Sequence, residues 1–188
     1  DNDLLHPVKV SQETQGTPVL SIKPADQTKP DDAQYSYTFL GWTKGDSDQV
    51  ISDWSQETVT AFVIYKAKYS TTTKTYNITF KNYDNTVIKV DPTDPYDYRT
   101  YTYGIPAANI ITPANNPTRP DDAQGHEYTF AGWSPEIADV TWDATYTATY
   151  TESTKKFTVR WHDYDNTPLE TDVNVEWGTA PHYDGVTP

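Results

Sequence analysis

The sequence predicts a mostly β protein with little helix: tandem small repeats in an elongated array. Three observations lead there. Residues alternate with a period of two, as in Thr145-Tyr146-Thr147-Ala148-Thr149-Tyr150-Thr151, which sets Tyr146, Ala148 and Tyr150 on one face and threonines on the other. Blocks of sequence return about eighty to ninety residues apart, the size of a small repeat unit. Fourteen prolines, many beside Thr or Asp, argue against long helices.

The returning blocks define the units. Pro30-Asp31-Asp32-Ala33-Gln34 comes back as Pro120-Asp121-Asp122-Ala123-Gln124, and Tyr37-Thr38-Phe39-Leu40-Gly41-Trp42 as Tyr128-Thr129-Phe130-Ala131-Gly132-Trp133. Asn82-Tyr83-Asp84-Asn85-Thr86 recurs as Asp163-Tyr164-Asp165-Asn166-Thr167. Strands are expected over residues 35–39, 65–69, 76–80, 128–130, 145–151 and 157–161, each a run rich in Thr and aromatics. Gly41-Trp42 and Gly132-Trp133 read as a core Trp after a strand, with Gly permitting a bend. Trp161 stands in the slot of Phe80 and Trp177 in that of Tyr103, so both are expected in a core. A short helical turn is expected at Ser134-Pro135-Glu136, where Ser suits an N-cap and Pro the first helical position.

Asp1-Asn2 aligns with Asp84-Asn85, so the unit at 1–70 lacks the strand equivalent to 76–80. Residues 76–150 form a complete unit and 157–188 begin a third. Residues 71–75 and 151–156 read as short linkers, equal in geometry and, lacking glycine, stiff. The first unit carries an insertion of about ten residues between Trp42 and Tyr65, and the second a longer excursion around Asp91 to Tyr98; insertions in repeats map to loops.

Composition narrows function. The net charge of −13 disfavours nucleic acid and anionic membrane as partners. There is no cysteine, so disulfides and thiolate metal sites are excluded. No apolar run reaches membrane-spanning length. Small units bury limited apolar surface, and fifteen Tyr, six Trp and five Phe offset this.

Candidate chemistry is sparse. Asp84-Asn85 and Asp165-Asn166 read as hairpin turns rather than calcium loops, since the glycine and distal glutamate of such loops are missing. His6, His126, His162 and His182 have no ligand spacing, so no metal, cofactor or catalytic residue is assigned. The acidic excursion Asp91, Asp94, Asp97 reads as a solvated loop. Trp54 and Trp142, with Tyr96 and Tyr98, are the candidate ligand contacts: they lie in the variable stretches, where aromatics could stack on a sugar face, and packing against a neighbouring unit is the equal alternative for the two Trp.

The second unit, at residues 76–80, Asp84-Asn85, Tyr103-Gly104, Pro117-Thr118-Arg119, 128–133 and 144–150, resembles the Listeria–Bacteroides repeat, or internalin B-type B-repeat. Gly16, Gln27-Thr28-Lys29, 37–42 and 65–69 carry it in the first unit, and Phe157 through Glu176-Trp177-Gly178 in the third. The resemblance implies a small β-grasp-like fold repeated in a bacterial cell-surface, cell-wall or secreted protein, outside the cell, acting as a stalk or adhesin without catalysis. Its partners would be neighbouring repeats and a host or cell-surface protein or glycan. A carbohydrate-binding module is the alternative. So is a subunit of a head-to-tail fibre, in which the last strand of one copy completes the first unit of the next.

Overall fold

The computed structural model describes residues 11–186. The alignment of Asp1-Asn2 with a turn, and His6, fall outside them. The fold is mostly β, and the chain divides into two compact units, residues 1–74 and 75–188.

The first unit holds one antiparallel pair, β1 (Tyr35–Lys44) and β2 (Tyr65–Thr73). In the second unit β3 (Thr75–Lys81), β4 (Arg99–Thr102), β5 (His126–Ser134) and β6 (Ala144–Thr154) form one sheet in the order β4-β3-β6-β5. Its two central strands, β3 and β6, run parallel, with Ile78 opposite Ala144 and Phe80 opposite Tyr146. A separate antiparallel pair follows, β7 (Lys156–His162) and β8 (Pro168–Glu176).

The registers repeat. Gly41 and Gly132 each follow a bulge that lets Leu40 and Ala131 stand outside the ladder, and each has a left-handed φ, +137° and +135°. Tyr76 pairs with Tyr101 as Phe157 pairs with Val175. Both Asn turns take a positive φ of 68° at Asn85 and Asn166, the conformation a tight hairpin requires. Asp84 and Asp165 spend their Oδ1 atoms accepting from Thr86 and Thr167 N–H.

Alternation explains the core. Along β3, Ile78 and Phe80 point to one face and are buried, joined by Ile110, Val140 and Tyr146. The Phe80 ring meets Trp133 edge-on at 4.7 Å and Tyr146 at 5.6 Å. In the first unit Val19 is the one apolar side chain among the described residues that reaches full burial.

Several expectations are corrected. Residues 71–75 and 151–156, expected as short, stiff linkers, are mostly strand: β2 and β6 run on to Thr73 and Thr154, leaving only Lys74 and Lys155 between strands. No helix forms at Ser134-Pro135-Glu136. Ser134 ends β5, and the segment beyond it is claimed by the core, where Val140 N–H donates to Ile105 O and Asp139 accepts from Ala107 N–H. Single 3-10 turns instead follow Pro18 and Pro106, at Val19–Ser21 and Ala107–Asn109. Trp177 is not a core residue. It is half exposed, lying beside Phe157 at 6.1 Å and over Gly125, where a Cβ would come within 2.0 Å of its ring.

Candidate functional site

Of the aromatic contacts proposed from the sequence, one lies in the first unit and three in the second. Trp54 belongs to the first unit, half-buried with its ring 5.6 Å from Tyr65 and the Lys23 ammonium 5.8 Å away. Trp142 is 63% exposed and stands by Tyr76 at 6.0 Å, which in turn neighbours Tyr103 at 6.5 Å. Tyr96 and Tyr98 stack on each other at 5.4 Å with 29° between their planes. Along the chain, β4 lies between the Tyr96–Tyr98 pair and Tyr103. The excursion that carries the Tyr pair is ordered by its own acids. Asp91 accepts from Thr93, Asp94 accepts from Tyr96 N–H, and Lys89 reaches both Asp94 O and Asp97. The hollow beneath the pair holds about 10 Å³, room for a single water.

Sequence reasoning noticed the Pro-Asp-Asp-Ala-Gln repeat but gave it no role. The structure does. At each copy the second Asp turns the chain into the next strand: Asp32 Oδ1 accepts from Gln34 and Tyr35 N–H, and Asp122 Oδ1 from Gln124 and His126 N–H. The other oxygen accepts from a tyrosine hydroxyl, Tyr37 at 2.6 Å and Tyr128 at 2.9 Å. A cation covers each of those rings, Lys29 at 4.0 Å over Tyr37 and Arg119 at 3.6 Å over Tyr128. The first Asp pairs with the lysine between strands, Asp31 with Lys74 at 3.3 Å and Asp121 with Lys155 at 2.5 Å. The backbone N–H groups of the same two lysines donate to Gln34 O and Gly125 O, at 2.8 Å each. Each inter-strand lysine is thus tied to the unit it leaves by its backbone and its side chain. The repeated Asp-Asp, the Tyr that follows it, and the Lys between two Thr/aromatic runs were the signals for this clasp.

Electrostatics follow the geometry. The Tyr37 hydroxyl donates to Asp32, which pushes its pKa up to about 12. Tyr128 is pushed up to about 12 by desolvation first and by Asp122 second. Asp32 is lowered by the Tyr37 hydroxyl and by backbone N–H donors. Asp122 is held well below the carboxylate range, first by the His126 N–H and then by the His126 and Tyr128 side chains. His126 is raised, mainly by its 2.8 Å hydrogen bond to Asp122, with Glu152 3.8 Å from its other nitrogen.

A depression of the first unit, about 430 Å³ and open to solvent, is lined by its inserted loop at Ser47, Gln49, Ile51 and Asp53 and by the 2.7 Å Lys44–Glu57 pair. The pairing lowers Glu57 and raises Lys44, so both stay charged. Comparison with family models, curated proteins and solved structures returns no match for this chain.

Proposed function

We propose that the chain is a non-enzymatic repeat segment of a bacterial surface or secreted protein, with a structural and adhesive role outside the cell. The observation that carries this reading is the direction of the central ladder. The chain enters the second unit at the start of β3 and leaves its four-stranded sheet at the end of β6, and these strands are parallel neighbours. Tension on the chain therefore pulls the two strands past each other, along their length. The ladder from Ile78–Ala144 to Lys81–Thr147 is loaded all at once in shear instead of opening one bond at a time. The Lys155 clasp resists peeling at the exit. A sheet in this order with a parallel central pair also supports the β-grasp-like unit that the resemblance implies.

The test is to pull the unit along two axes, using the absence of native cysteine to place handles. Handles at Thr75 and Lys155 load the parallel ladder, and handles at Thr75 and Thr102 unzip the antiparallel β3–β4 pair. The first axis is expected to require several times the force of the second. Equal forces would remove the mechanical reading.

A second reading, a glycan-binding surface, is favoured by the exposure of Trp142 beside Tyr76. It predicts saturable tryptophan quenching by a ligand found on a glycan array, lost in Trp142→Ala. Quenching that survives this substitution rules out Trp142 as the contact.

A further inference from the structure

We propose that the solvent-side face of the second unit around Gly132, with the carbonyl of Trp133 at its rim, docks an extended, acid-free peptide segment of a partner protein. The site is made by β5 and β6 alone, and it does not depend on the load-bearing role.

The first unit shows what fits there. The pairs β1–β2 and β5–β6 share one register. Gly41 lies opposite Lys68 as Gly132 lies opposite Thr149, and Thr43 lies opposite Lys66 as Ser134 lies opposite Thr147. Phe39 and Trp42 meet edge-on on the core side, as Phe130 and Trp133 do. Alternation then puts Gly41, Thr43, Lys66 and Lys68 on the opposite, solvent-side face.

The first unit covers that face with its own insertion. Val50 seats over Gly41 so closely that a Cβ there would stand 2.5 Å from its Cγ1. Ile51 N–H donates to Trp42 O at 2.8 Å, so the segment also meets the rim. Thr43 is only 5% exposed beneath it. Asp46 and Asp48 anchor the segment on Lys66 and Lys68, at 3.2 and 3.6 Å.

The second unit keeps the face and lacks the insertion. Gly132 retains the bulge and the left-handed φ, yet nothing lies within 4 Å of the place its Cβ would take. Ser134, in the place of the buried Thr43, is exposed. By the shared register Trp133 O points away from β6, and among the described residues no backbone donor outside the sheet reaches it. A glycine under open space beside a free edge carbonyl is suited to a close backbone approach and strand-like docking.

The template also states the chemistry of the occupant. A Val or Ile side chain sits over Gly132, and the next N–H donates to Trp133 O. The anchors for acids are gone, because Thr147 and Thr149 replace Lys66 and Lys68. In a chain of net charge −13, acids on the incoming segment would then meet repulsion without a counter-ion. The insertion of a second copy is a poor occupant for the same reason, and it is already seated on its own unit.

Two synthetic peptides serve as probes: residues 46–52 of this chain, and the same segment with Asp46→Asn and Asp48→Asn. Each is titrated into the isotope-labelled full chain and followed by amide NMR shifts. The neutral peptide is expected to give saturable shifts at Gly132, Trp133, Ser134 and Thr149 and none at Gly41, whose face is already covered. It is expected to bind several times more tightly than the acidic one. Gly132→Ala puts a methyl where the aliphatic side chain would sit, and is expected to abolish the shifts. A second variant leaves the glycine intact: Thr147→Lys with Thr149→Lys is expected to reverse the preference, so that the acidic peptide binds more tightly. The absence of saturable shifts at these residues overturns the proposal, as does a preference unchanged by the two lysines. Undiminished binding by Gly132→Ala overturns it too. Shifts at Gly132 that grow with the concentration of the chain alone make a second copy the occupant and also overturn it.

Discussion

Single residues show how the repeat is held and where its two copies differ. Gly41 and Gly132 share a left-handed φ, so a side chain at either is strained by about 1 kcal/mol or more. A Cβ at 41 would also meet Val50 Cγ1 at 2.5 Å, while nothing lies within 4 Å at 132. Gly41→Ala is therefore expected to lower the denaturation midpoint more than Gly132→Ala; equal losses would show that the bulge alone sets the cost. The clasp gives a pH dependence. His126 is raised from its ordinary 6.5, so its contribution is complete below that value and is lost as pH rises through the raised one. Asp122 is depressed from 3.8, so its contribution is present above that value and is lost only as pH falls far into acid. The second unit is thus expected to lose thermal stability as pH rises above the ordinary histidine value of 6.5 and through the raised one, a loss that His126→Gln abolishes. The first unit has Tyr35 at that position and lacks this loss. A slope that survives His126→Gln would assign it to another group.

At the scale of elements, the strands were legible because each is an alternating run of Thr and aromatics on a half-buried sheet face, as in 65–69 and 144–150. The Asn turns and the Gly-Trp bend were legible for local reasons, since positive φ selects for Asn and Gly. The sequence could not show which strand lies beside which, so the parallel β3–β6 pair was invisible in it. The turn at Ser134-Pro135-Glu136 was misread because a capping pattern describes a local preference, and the demand of the core for Val140 outweighs it. Trp177 was misread because its slot is defined by β7 and β8, which have no third strand beside them among the described residues to bury it. The clasp was half legible: the repeated Asp-Asp stood out, but its lysine partner is some forty residues away in the first unit, as Asp31 to Lys74 shows. The energetic centre is Phe80. Phe80→Ala is expected to cost about 3–5 kcal/mol in a denaturant titration, since the ring is 1% exposed and packs on Trp133 and Tyr146. A loss below 1 kcal/mol would place the core elsewhere.

For the whole molecule, the two units pose a contrast. One has a complete sheet with a parallel central ladder, and the other a pair of strands with an open edge among the described residues. The candidate contacts are local: Trp54 packs on Tyr65 in the first unit, and in the second Trp142 stands by Tyr76 while Tyr96 and Tyr98 stack on each other. In the proposed mechanical role, load bearing rests on one feature, the β3–β6 ladder. Pulling the monomeric chain from end to end by single-molecule force spectroscopy tests this most directly. The account predicts one high-force event per chain, releasing the ~80 residues between the start of β3 and the end of β6, which extend to roughly 280 Å less the folded separation of the ends. Two equal events, or a chain that extends with no resolved event, would contradict it.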